Sequence, residues 1–270
     1  MRMCFERANS KTVWRVVASV AISLALCSWA DLYLKGQTRE AIEHLKRGFA
    51  LFNSMEYDAA IAEYREAIRL EPKLAIAHSS LGSALDREHR NKEAVAEFRE
   101  ALRLDPKNFV AHINLGDDFR LAGDWDGALA QYNDAAKTKP DSALAHNNVG
   151  AVLFQKGALG EALEQFKTAV RLDPKFANAH INLAFALQRT GDPQGALAEC
   201  RQALQIAPSD PTIRKGCDHL RERIGTHPPK SRNSTSTRFL YTRTFPRLFW
   251  DGVGSLSSET VQLVRLRWGV

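Results

Sequence analysis

A stretch of thirty-four residues, Phe109 to Ser142, lands on another copy of itself when the chain is shifted by that length in either direction. Few sequence features restrict a fold so strongly. Self-similarity at a fixed period marks a supersecondary unit that buries its apolar face against its neighbours, so the molecule grows by stacking and not around one central core. Close copies run from Ala75 to Asn108 and from Ala143 to Phe176, and looser ones from Ala41 to Leu74 and from Ala177 to Asp210. Five units exceed the roughly three that a stable stack requires.

Within the copies the small and chain-breaking residues recur most faithfully. Gly48, Gly82, Gly116 and Gly150 occupy one place, with Ala184 in the fifth copy, and each copy closes on a proline: Pro72, Pro106, Pro140, Pro174 and Pro208. In the central copy His112, Leu115, Gly116 and Phe119 follow the three-and-four spacing of a single helical stripe. A break at Gly123-Asp124 predicts a second helix capped by the Asp124 carboxylate. In that helix Ala128, Tyr132 and Ala135 share one face, with alanine where two backbones must come close. Pro140 ends it, because proline lacks the amide hydrogen and pushes its predecessor out of the helical region.

A thirty-four-residue helix–turn–helix with small residues at these places resembles the tetratricopeptide repeat, over Ala41 to about Asp210. The resemblance implies an all-α fold, an α-solenoid: a right-handed superhelix of five helix–turn–helix repeats. Asp210-Pro211 starts one more helix, to residue 224, whose charged residues suit a capping unit with one face in water. The large aromatic that the family often carries early in its first helix is histidine here in every copy: His44, His78, His112, His146 and His180. Cys200 stands in the fifth copy where the others have tyrosine or phenylalanine, so that copy is expected to be the least tightly packed. Equivalent residues of adjacent units lie about 8–10 Å apart, too far to share a metal ion, so each histidine is expected to close its own helix pair.

The formal net charge is +6, a balance that invites a nucleic-acid reading, but its distribution argues otherwise. Between Lys35 and Pro208 acidic residues slightly outnumber basic ones, and the positive excess lies in the tail and the first fifteen residues. The organisation read from the sequence is therefore a leader over 1–34, an array over 35–224 and a basic tail over 225–270. Val16 to Ala30 carries no charge and follows Arg2, Arg7, Lys11 and Arg15. That pattern fits a cleaved signal with Ser28 and Ala30 at the cut, or a retained anchor over 14–34. Either would place the array on the non-cytoplasmic side, periplasmic in a bacterium. Leu26 before Cys27 is too large for a lipoprotein site. Cys4, Cys200 and Cys217 show no metal or disulfide spacing; Cys200 reads as a small core residue. The tail from Arg238 mixes arginines with aromatics without stripe or cap, a composition for disorder or for a nucleic-acid or membrane contact.

Asn114, Asn148 and Asn182 each follow a repeat histidine by two residues, with Ser80 at that place in the second copy. At about 100° per residue, Asn114 points away from the stripe of its own pair and is expected to face outward. In the tetratricopeptide family the first helices line a concave wall, so the resemblance implies a ladder of amides along a groove. The run Ala-His-x-Asn is similar to the asparagine ladder of O-linked N-acetylglucosamine transferase, and such a ladder can bond the backbone of an extended peptide. Ile76, Val110, Leu144 and Leu121 add apolar surface, and Asp117, Arg120, Gln155 and Arg189 are candidates for selectivity. The family's grip on a chaperone C-terminal carboxylate needs basic residues around these asparagines, and the sequence does not place them there.

No phosphate loop, nucleophile elbow or HExxH motif is present in the sequence. The expected function is a non-catalytic scaffold for a protein or peptide partner, without cofactor, metal or small-molecule substrate. The alternative is the accessory, substrate-recruiting arm of an enzyme complex such as a glycosyltransferase.

Overall fold

In the computed structural model the described residues are 38–226, and among them the backbone forms eleven α-helices and no strand. The leader 1–34, with the membrane contact expected through 14–34, lies outside the described residues, as does the tail from residue 227. Among the described residues no helix is long and apolar enough to cross a membrane.

The chain divides after Asp105 into two units. The first holds α1 (38–53), α2 (Tyr57–Leu70), α3 (Ala75–Arg87) and α4 (Asn91–Leu104). The second holds α5 (Phe109–Leu121), α6 (Trp125–Thr138), α7 (Ala143–Gln155), α8 (Leu159–Leu172), α9 (Ala177–Thr190), α10 (Pro193–Ile206) and α11 (Pro211–Thr226). Odd and even helices up to α10 are the first and second helices of the five copies, and α11 is the expected additional helix.

Each pair closes by seating a large ring against a glycine. A Cβ on Gly82 would stand 2.7 Å from Phe98, on Gly116 2.5 Å from Tyr132, and on Gly150 2.9 Å from Phe166. The rings of Tyr64, Phe98, Tyr132 and Phe166 are buried, and so are the alanines that flank them on the same helical face. Burying such a side chain contributes roughly 1.5–3 kcal/mol. In the fifth copy the exchange runs the other way: Ala184 supplies the methyl group and Cys200 gives up the ring, and both are buried. Cys200 is also joined to Cys217 of α11 by a disulfide with a Cα separation of 5.6 Å. The fifth copy is thus not left loose; a covalent bond holds its second helix to α11. Spacing alone did not reveal this pairing, because the partner lies outside the repeat.

The turn inside each copy needs a left-handed residue. Gly123, Gly157 and Gly191 supply it, and Met55 and His89 take the same conformation in the first two copies. Asp124 and Asp192 cap α6 and α10 through Gly127 N and Gly195 N, while Asn108 and Ser142 cap α5 and α7. At the start of α11 the Asp210 carboxylate accepts from Thr212 N and Ile213 N.

Candidate functional site

Asn114, Asn148 and Asn182 lie in the first helices α5, α7 and α9. Three and seven residues further on, the same helical stripe carries Asp117 and Leu121 in α5, Ala151 and Gln155 in α7, and Phe185 and Arg189 in α9. The asparagines themselves do not form an exposed row. Asn148 and Asn182 keep 0% and 1% of their surface, and Asn114 is half-buried. A 100° wheel places a residue relative to its own pair and ignores the next copy; α7 and α9 pack against each other, which brings their asparagines into a shared environment.

Within it the amides form a network across two helices. Asn182 Nδ2 donates to Asn147 Oδ1 at 2.8 Å, and Asn147 Nδ2 approaches Asn148 Oδ1 at a long 3.4 Å. Asn148 Nδ2 and Asn182 Oδ1 are buried without a hydrogen-bond partner. A buried polar atom left so costs about 1–3 kcal/mol, which makes this pair, one donor and one acceptor, the most conspicuous chemical feature of the second unit. Asn147 is a residue the sequence reading missed, because no other copy repeats it. Asn114 differs again: its Nδ2 donates to Val110 O one turn back at 2.8 Å.

The remaining predicted residues separate into three places. Ser80 belongs to the first unit, where its hydroxyl donates to Ile76 O at 2.7 Å. Asp117 accepts from the Tyr132 hydroxyl at 2.7 Å and from Arg120 Nε at 3.3 Å, so both serve the closure of α5 on α6. Burial, and after it the Asp117 charge, pushes the Tyr132 pKa well above its usual value. Gln155 and Arg189 do come together. They line a cavity of about 280 Å³ with Phe154, Gly157, Phe185, Gln188 and Arg223, and the Arg189 guanidinium stands 5.4 Å from the centre of the Phe154 ring. Of the apolar residues expected beside the asparagines, Leu121 is 68% exposed and Ile76, Val110 and Leu144 are half-buried.

Each repeat histidine closes its helix pair, as expected, through a partner nineteen residues on. His44, His78 and His180 place Nδ1 within 2.6–2.7 Å of Glu63, Glu97 and Glu199. His112 and His146 meet Gln131 and Gln165 at 2.9 and 2.8 Å. In four copies Nε2 also reaches the carbonyl of the preceding proline, at 3.0–3.1 Å from Pro72, Pro106, Pro140 and Pro174. A carbonyl only accepts, so Nε2 carries hydrogen in these four, and in His78 and His180 a carboxylate at Nδ1 favours a second proton. Burial works to lower the His78 pKa, but Glu97 and the Pro72 carbonyl outweigh it and the net shift is upward. For His180 the bond to Glu199 is the largest influence and again the pKa rises. The recurrence of Glu or Gln nineteen places after each histidine was a legible signal of this bracket.

Family models described as "TPR repeat" match residues 48–87, 116–157 and 150–191, and others described as "Tetratricopeptide repeat" match 75–108 and 177–210, together more than half of the chain. The chain is a tetratricopeptide repeat protein. Its fold is shared with YrrB, whose crystal structure is described as that of a TPR protein with an unusual peptide-binding site: 25% identity over 67% of this chain and 92% of that one, with a TM-score of 0.53. PilF of Pseudomonas aeruginosa is similar over 73% of this chain and 95% of its own at 19% identity and a TM-score of 0.61. The Cut9–Hcn1 hetero-tetramer of the APC/C matches 69% of this tetratricopeptide repeat chain and 37% of its own, at 18% identity and a TM-score of 0.62. No curated protein matches the chain in sequence.

Proposed function

We propose that this tetratricopeptide repeat protein is a non-catalytic interaction scaffold whose first helices α5, α7 and α9 receive an extended peptide segment of a protein partner. The observation that carries the reading is the row of exposed side chains at equivalent places of these three helices, Leu121, Gln155 and Arg189. The Gln155 amide offers both a donor and an acceptor, and a peptide unit presents the complement, a carbonyl and an N–H. Recognition through main-chain groups is tolerant of sequence, so affinity accumulates from several modest contacts. The peptide-binding site described for YrrB supports the same use of this fold.

We further propose that the array works outside the cytoplasm, exported or membrane-tethered. The Cys200–Cys217 disulfide supports this, because such bonds persist in oxidising compartments and are rare in the cytosol.

The test is selection of binding peptides from a random library by the full chain, followed by an N-methyl scan of the best binder. Main-chain recognition predicts that methylating one central amide, or introducing Leu121→Ala with Gln155→Ala, weakens binding by about tenfold or more, roughly 1.4 kcal/mol. Side-chain replacements along the peptide should matter less. If the alanine variant, shown to be folded by circular dichroism, binds as tightly as the parent, this row has no part in recognition and the proposal is lost.

A further inference from the structure

Among the second helices, three departures from the repeat fall in one place. Gly160 of α8 has no side chain where the other copies carry Asp58, Lys92, Asp126 and Gln194. Glu164, one turn further on, stands where they carry Ala62, Ala96, Ala130 and Ala198, and Asn133 of α6 stands where they carry Arg65, Arg99, Lys167 and Arg201. All three line an open cavity of about 390 Å³ where α6, α7 and α8 meet. Together they clear its mouth, add a carboxylate and remove a cation; a Cβ on Gly160 would meet nothing within 4 Å. Half-buried Leu129 forms an apolar wall, and the buried Val149 and Leu153 only close the inner end. Glu161 and Glu164 are exposed at the rim. Glu161 makes no hydrogen bond or ion pair among the described residues. Glu164 meets Lys167 of its own helix at 2.9 Å, an exposed pair that costs little to open.

We propose that this cavity receives an arginine side chain of a protein partner. Its described lining holds two carboxylates and no cation, so charge complementarity selects a positive group. Glu161 and Glu164 lie three residues apart, on one face of α8, and a guanidinium presents five N–H donors in a planar fork that matches carboxylates. The Asn133 amide oxygen accepts a further N–H from the α6 side, a role that the arginine or lysine of the other copies could not fill. The aliphatic stem of the arginine lies along Leu129. Lysine, a compact ammonium on a flexible stem, serves these separate acceptors less well. The site uses none of Leu121, Gln155 and Arg189, so it does not rest on the peptide reading above. It gives the array a second contact surface, on the helices α6 and α8.

The experiment selects random dodecapeptides with acetylated and amidated ends on the full chain and counter-selects them on Gly160→Leu, which fills the cavity mouth, so that only peptides needing the cavity remain. These should be enriched in arginine. In the best binder, exchange of that arginine for citrulline, which keeps the shape and removes the charge, should weaken binding about tenfold, the effect of losing one charge-assisted contact; exchange for lysine should weaken it less. The citrulline exchange should have no effect in Glu161→Gln/Glu164→Gln, whose melting temperature should match the parent. Glu56→Gln/Asp141→Asn, which removes the same charge elsewhere, should leave the arginine preference in place. If no peptide survives counter-selection, if the survivors show no arginine preference, or if the preference persists in the Glu161→Gln/Glu164→Gln variant, the site is overturned, while peptides retained by Gly160→Leu leave the first-helix reading standing. A photo-crosslinker at Asn133 that joins the cavity to residues 227–270 of the same chain, or to a second copy, would supply an internal occupant and overturn the partner proposal.

Discussion

Replacing glycine with alanine should have opposite consequences at two helical positions of this array, and the structure supplies the sign of each. At Gly116 the added Cβ would lie 2.5 Å from Tyr132 Cε1 and 2.7 Å from Cδ1, distances at which the ring must move. Tyr132 is fully buried and its hydroxyl donates to Asp117 at 2.7 Å, so it has nowhere to retreat without loosening that bond. Overpacking of this kind costs about 1–3 kcal/mol, a weakened bond to a carboxylate adds about 1 kcal/mol, and the better helix propensity of alanine returns about 1 kcal/mol. Gly116→Ala is therefore expected to destabilise the protein by about 2 kcal/mol. At Gly160, in the first turn of α8, the added methyl group would meet nothing within 4 Å, and Gly160→Ala should stabilise by up to about 1 kcal/mol. Guanidinium unfolding followed by circular dichroism at 222 nm measures both. A double-mutant cycle sharpens the test: in a Tyr132→Cys background, which copies the Ala184–Cys200 pair of the fifth repeat, adding Gly116→Ala should cost nothing. A Gly116→Ala protein as stable as its parent would refute the account of glycine as the seat for the ring.

Three other outcomes follow from the same geometry. The His78 and His180 pKa values lie above their unfolded value near 6.5, so their contribution to stability is fully present below about pH 6.5 and lost as the pH rises through the folded pKa. Melting temperatures between pH 5.5 and 9 should therefore fall, and Glu97→Gln with Glu199→Gln, which reproduces the third and fourth copies, should flatten the slope; an unchanged slope would sink the assignment. Removing the disulfide as Cys200→Ala/Cys217→Ala opens a crosslink of sequence separation 17, worth about 3 kcal/mol by chain entropy, and hydrogen exchange should rise first in α11. Met55→Gly and His89→Gly relieve side chains held at φ of 63° and 59° and should each stabilise the first unit by about 1 kcal/mol in urea unfolding.

The fold was legible because periodicity reports packing directly. The glycine and ring of each pair sit sixteen residues apart in four copies, the proline closes every unit, and Asp210-Pro211 announced α11. The site was legible only in part. Helical geometry put Asn148, Gln155, Asn182 and Arg189 on matching stripes, but it could not tell that α7 against α9 would bury the asparagines. It also gave no hint that Asn147 would join them, since that residue is unique to its copy. Asp117 and Arg120 looked like wall residues for the same reason: the Tyr132 hydroxyl that engages Asp117 belongs to a helix whose rotation the wheel does not contain. Cys200 and Cys217 escaped because one lies inside the repeat and the other beyond it.

The histidine bracket also fixes where this chain can be cut. Its imidazole bonds a side chain of the same copy on one edge and, on the other, the proline carbonyl that ends the copy before. Alignment would place a boundary at Phe109, yet a fragment beginning there would strip His112 of its acceptor at Pro106. A fragment beginning at Pro106 carries the whole bracket, and that is also where the second unit begins. The module that can be excised, transplanted or multiplied is therefore offset by three residues from the one that the eye picks out, with its seam running through the loop and not at the helix start.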